Sequence, residues 1–256
     1  MKTFVMCMQC QAELGHPSFE SFFADYFDEG IAHIECARGH KSAILLQSLK
    51  FEVLMESGAN ALLEGYTFEA CAAFSAALER FYEFSVRVMC IARGMPHEVL
   101  EKMFTEMARQ SERQLGAFMA LYAAEFGEAY KPSAKMVEFR NGVIHKGVIP
   151  KPEEATKFCG DVYEAITSLY AKLSTRYKED IRKLVSQELQ EKREKAGTEG
   201  VATATSTGTI FFNIGRDANP ASFAEALESF TKAQAVIRGA LPYMQRLHEL
   251  IRALKN

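Results

Sequence analysis

From about Ala43 onward the apolar positions recur at spacings of three and four, the period of a helix. Leu45, Leu46, Leu49, Val53 and Leu54 form the first run. A break is expected at Gly58, after which Ala59, Leu62 and Leu63 follow and Gly65 stops the pattern. Thr67 is placed to cap a long second helix, on which Cys71, Phe74, Leu78, Phe81, Tyr82, Val86 and Met89 trace one stripe up to Arg93 and Gly94. Met95 to Gly127 reads as one further helix with Val99, Leu100, Met103, Met107, Leu115, Phe118, Met119 and Tyr122 inward. Pro132 and Ser133 then open a short helix, Ala134 to about His145, which Gly147 and Pro150 close. Pro152, Glu153 and Glu154 put negative charge at the start of the next helix, whose stripe runs through Phe158, Val162, Ala165, Ile166, Leu169 and Leu173. Short connections between such helices predict an up-down bundle of four or five.

The two ends read differently. Near the start, Phe4 to Met8 and Ile31 to Cys36 are short apolar stretches suited to strands. Towards the end, the charged run through residue 195 gives way to Ala196–Gly208, rich in Gly, Ala, Thr and Ser, which reads as a linker. Thr209 to Ile214 has strand-like content. Beyond Asn219 and Pro220 a last helix carries Phe223, Phe230, Ile237, Met244 and Ile251 every seven residues. Gln234 and His248 interrupt the intermediate positions, and Pro242 is expected to bend the helix. The fold class predicted is mainly α, with a small β element over 1–44, a helical bundle over 45–195, and a linker, short strand and helical extension over 196–256.

Composition adds little to that outline. With 256 residues, 48% of them hydrophobic, the chain can bury a substantial core. No apolar run approaches the roughly 20 residues that span a bilayer, and the first ten residues are too short and mixed for a signal peptide, so a cytoplasmic protein is expected. A net charge of -3 excludes coating nucleic acid by bulk electrostatics. Locally the sign reverses: Lys131, Lys135, Arg140, Lys146 and Lys151 are opposed over that span only by Glu138.

Candidate chemistry lies in two places. "CMQC" supplies Cys7 and Cys10, and "CARGH" supplies Cys36 and His40, two knuckles that together offer the three-sulfur, one-nitrogen shell suited to zinc. Gly39 suits the second knuckle turn. His16 and His33, in the acidic and aromatic stretch between the knuckles, are competing ligands. With all four positions taken by protein, the zinc site is expected to be closed and structural, with no metal used in catalysis. Cys71, Cys90 and Cys159 fall in apolar helical patterns and read as small buried hydrophobes.

The second place is Arg140, Asn141 and His145. On a helix, residues four apart share a face, so Asn141 and His145 line up and Arg140 reaches across. Arginine offers a planar fork of donors for phosphate oxygens and histidine titrates near neutral pH, so the group can hold and attack a phosphodiester. Glu79, Glu83 and Arg87, at successive helical turns, read as an exposed ion-pair ladder.

The stretch "FRNGVIHKGVIPKPEEATKF", Phe139 to Phe158, following a helical segment, resembles the signature of HEPN domains: Arg, a polar residue, a short spacer and His. The resemblance extends less specifically over about Leu45 to Leu184. It implies metal-independent RNA cleavage in which a ribose 2'-hydroxyl attacks the adjacent phosphorus. It also implies a homodimer that brings two motifs to one cleft, and an acidic and a basic residue on the neighbouring helix, for which Glu83 and Arg87 are candidates. Some HEPN members only bind or regulate, so a non-catalytic module recognising RNA, a nucleotide or a regulatory protein partner remains open. A zinc hydrolase would need an open metal position, which the ligand set does not offer.

Overall fold

The computed structural model describes residues 2–15, 21–107, 111–197, 202–206, 209–216 and 219–254. Within these the chain forms eight helices and five strands, a mainly α fold. Two compact units are assembled from separated segments. One comprises Met1–Ser48, Ser186–Ile210 and Glu228–Asn256, the other Leu49–Val185 and Phe211–Leu227.

The first unit holds the strands. β1 (Lys2–Met6) leads directly into the short helix α1 (Met8–Leu14) and pairs antiparallel with β2 (Ser21–Asp25). β3 (Ile31–Glu35) and β4 (Lys41–Leu46) form an antiparallel hairpin, and β5 (Ala202–Ser206) adds to the other edge of β4 in parallel. This corrects two expectations. Residues 43–46 are strand, not the start of a helix: every residue from Ser42 to Leu46 is buried, as in a central strand covered on both faces. Such a continuous apolar run has no period of its own and mimics a helical stripe. The stretch read as a linker contains β5, because the open edge of β4 needs backbone partners that alternating Ala and Thr can supply. Ile31, Ala43 and Leu45 pack with Ala196 and Leu189 on one face of the sheet.

The second unit is the helical bundle. α2 (Lys50–Leu63) and α3 (Thr67–Ala92) pack along their lengths, and Gly58 does not break α2 but lets it approach. A Cβ at Gly58 would lie 2.5 Å from the Phe74 ring. Thr67 is the first residue of α3 rather than its cap; its hydroxyl donates instead to the Pro150 carbonyl at 2.8 Å.

The expected single helix after Met95 is two, α4 (His97–Met107) and α5 (Ser111–Phe126). Leu100, Phe118 and Tyr122 are buried as expected, whereas Val99 and Met119 are exposed. α6 (Ala134–Lys146) is followed by α7 (Pro152–Lys195), which leaves helical geometry at Tyr177.

Residues 209–214 form no strand. The Phe211 amide donates to a Glu56 carboxylate oxygen at 3.0 Å and the Ile214 amide to Glu52 at 2.6 Å, so side chains of α2 replace a backbone ladder. That path inserts Phe211 and Phe212 among Phe51, Phe74, Tyr163 and Phe223, in edge and tilted contacts 5.7 to 6.1 Å between ring centres. α8 (Phe223–Leu254) is one helix through the position of Pro242. The side chains of Pro242, Met244, His248 and Ile251 lie outside the described residues, and with them the second half of the seven-residue pattern.

Candidate functional site

The four knuckle residues meet. Cys7 caps the N-terminus of α1, its sulfur accepting the Cys10 amide at 3.5 Å, so both thiols stand at one end of that helix. Between β3 and β4 the chain turns through Gly39, at φ 80°, with Gly39 N–H donating to Cys36 O at 2.8 Å and Cys36 N–H to His40 O at 3.1 Å. A left-handed φ of this kind is open to glycine without strain.

The turn brings Cys36 and His40 to Cys7 and Cys10, all four ligand atoms lying within 4.8 Å of one another. Cys10 Sγ is 3.7 Å from Cys36 Sγ and 3.2 Å from His40 Nδ1, and Cys7 Sγ is 3.8 Å from Nδ1. A tetrahedron with bonds of about 2.3 Å has edges of about 3.8 Å, so the donor set fits one metal ion.

The three sulfurs are buried and form a small cluster of their own. Burial, then the neighbouring Cys7 and Cys36, push the Cys10 thiol up to about 12. Burial also works against ionising Cys36, but donors from the Arg38 and His40 backbone outweigh it and leave that thiol below its ordinary value. A cation at the centre would offset the mutual repulsion of thiolates placed this close. His33 is exposed on β3 and outside the cluster, and His16 lies outside the described residues.

The second constellation belongs to α6. Ser133 caps its start, accepting the Met136 amide at 3.4 Å. At its end Gly147 takes φ 67°, and Val148 N–H returns to Gly142 O at 3.2 Å, a Schellman-type stop. His145 and Lys146 therefore occupy the last turn, where the helix dipole favours positive charge. Inward, Val143 is buried and Phe139 stacks on Phe158 of α7 at 4.9 Å, which leaves the opposite side of the helix to the polar group.

Arg140 reaches across as its spacing requires. One terminal nitrogen lies 3.2 Å from Asn141 Oδ1 and 3.1 Å from His145 Nε2. Arginine has only donors, so in this arrangement Nε2 accepts and the imidazole is the neutral tautomer with its proton on Nδ1. Lys131, Lys135, Lys146 and Lys151 are all exposed near this group in sequence, as a local phosphate site would need.

The sequence missed the acidic partner. Glu79, on α3, holds the other terminal nitrogen of Arg140 at 2.5 Å. Glu83 and Arg87, the expected candidates, pair with other residues. Glu83 binds Arg80 at 2.5 Å and Arg87 at 3.2 Å, while Arg87 also pairs with Glu101 and lies 4.1 Å over the Phe104 ring. The ladder is thus half-buried and split between two networks. All three positions share one helical face, so spacing alone could not decide which of them meets α6.

Among the described residues no helix is long and apolar enough to cross a membrane. No protein-family model, no curated protein and no solved structure matches this chain.

Proposed function

We propose that this chain is a metal-independent RNA endonuclease of HEPN type, cutting at Arg140 and His145. The observation that carries the reading is the Arg140–His145 contact of 3.1 Å at an accessible helix end, braced by Glu79. When a phosphate enters, the guanidinium donors turn to its oxygens and release the Nε2 lone pair. That nitrogen takes the proton of the ribose 2'-hydroxyl as its oxygen bonds to phosphorus and the bond to the 5'-oxygen breaks. The leaving oxygen takes a proton from a second imidazole that enters the cycle protonated, and the products are a 2',3'-cyclic phosphate and a free 5'-hydroxyl, with the two rings' proton states exchanged. No protein nucleophile and no metal is needed.

A second imidazole requires a second copy. Val137, Val148 and Ile149 on and just after α6 are exposed to 45%, 52% and 78%, an apolar margin beside the motif that supports a homodimer. The four N-terminal ligands take zinc in a closed structural site, which calls for reduced thiols and so for the cytoplasm.

The test is incubation of the purified chain with RNA and with DNA of the same sequence. RNA should be cut to cyclic-phosphate ends, DNA should stay intact, and His145→Ala should remove the activity with the fold unchanged. RNA bound but uncut by the wild type would instead assign a binding module.

A further inference from the structure

We infer that Glu13 is the positioning residue of the metal centre, holding the His40 ring by Nε2 so that Nδ1 is the nitrogen given to the metal. The inference rests on the reading that Cys7, Cys10, Cys36 and His40 bind zinc, and it deepens that reading by assigning a fifth residue and one of two ring nitrogens.

His40 Nε2 lies 3.2 Å from a Glu13 carboxylate oxygen, while Nδ1 faces Cys10 Sγ at 3.2 Å and Cys7 Sγ at 3.8 Å. An ionised carboxylate only accepts hydrogen bonds. Nε2 therefore carries the proton in a neutral ring, and the lone pair sits on Nδ1, directed at the sulfurs. Metal-bound histidines ordinarily give their second ring nitrogen to such an acceptor, which fixes tautomer and ring angle together.

The placement of Glu13 follows from α1. Cys7, Cys10 and Glu13 are three apart and rise along one side of the helix, the first two as sulfur donors and the third one turn on. Its other carboxylate oxygen meets Arg38 at 2.9 Å. Arg38 and His40 belong to the same turn, so Glu13 ties the helix of the first knuckle to the loop of the second at two points. Arg38 also offsets the charge that Glu13 would add to a centre already holding three thiolates and one divalent ion.

The test is zinc affinity, measured by competition with a chromophoric chelator on the full chain, for wild type, Glu13→Ala and Glu13→Gln. Glu13→Ala should bind about tenfold to a hundredfold more weakly. Glu13→Gln, whose amide oxygen still accepts from Nε2, should recover most of that loss. Independently of any variant, two-bond proton–nitrogen spectra of the zinc-loaded wild type should show His40 protonated at Nε2 and coordinated at Nδ1. Coordination through Nε2, or a Glu13→Ala affinity within twofold of wild type, overturns the inference while leaving the zinc reading intact. A wild type that takes up no zinc overturns both.

Discussion

Replacing Arg140 by alanine separates a phosphate-binding arginine from one that merely joins α6 to Glu79 of α3. A guanidinium has five N–H donors. Among the described residues, Asn141, His145 and Glu79 take three before phosphate enters; the two others are the ones counted for its oxygens, and the donor that His145 releases comes on top of them. A hydrogen bond to a charged group is worth roughly 1.5–3 kcal/mol, so two give about 3–6 kcal/mol. The side chain is 25% exposed, and solvent screening brings this down to about 2–4 kcal/mol. At 1.36 kcal/mol per factor of ten, kcat/KM for RNA should fall roughly 30-fold to 1,000-fold.

The fold should not change much in Arg140→Ala, because the helix is anchored by Val143 and Phe139 on its other side. Single-turnover cleavage of a labelled RNA, with circular dichroism as the control for folding, measures the effect. Cleavage within threefold of wild type by a folded variant would refute the assignment of those donors to phosphate.

Four other outcomes follow from the same geometry. Glu79→Ala should lower kcat by about tenfold in the same assay, since one charge-assisted bond that fixes the guanidinium is lost, and Glu79→Gln should fall less. Cys36→Ser should reduce bound zinc, read by elemental analysis, and a strong chelator should melt the first unit selectively, read by loss of amide protection over residues 2–46. Phe212→Ala should destabilise the helical unit by about 3–5 kcal/mol in denaturant titration, because the ring is fully buried among Phe51, Tyr163 and Tyr170. Ile149→Glu should shift the chain from dimer to monomer in light scattering and reduce cleavage with it; a dimer that persists would move the interface elsewhere.

The helices and both candidate sites were legible where chemistry is local. A period of three and four survives in any amphipathic helix, Ser133 and Gly147 mark the ends of α6 by their own conformational preferences, and paired ligands two or three residues apart announce a knuckle wherever they occur. Arg140, Asn141 and His145 lie within six residues, so helical geometry alone brings them together.

Three readings failed where a distant partner decides the local structure. β4 reads as helix in the sequence because a strand buried on both faces carries no alternation. β5 reads as a linker because Ala and Thr become strand only beside the open edge of β4, some 160 residues earlier in the chain. Phe211 and Phe212 have the composition of a strand, yet Glu52 and Glu56 claim the backbone and the core claims the rings.

The sequence by itself determined the mainly α class, the Cys–Cys and Cys–His pairs that could hold a metal ion and the Arg–Asn–His group, because the helical period, each pair and that group depend on residues within one turn or one knuckle. Only the tertiary structure decided that Glu79 rather than Glu83 meets Arg140, that Glu13 meets His40, and that a strand and two phenylalanines near the end of the chain complete units begun near its start. Those pairings join segments separated by tens of residues or more, where the cost of closing the loop is recovered by burial and hydrogen bonding that no local pattern records.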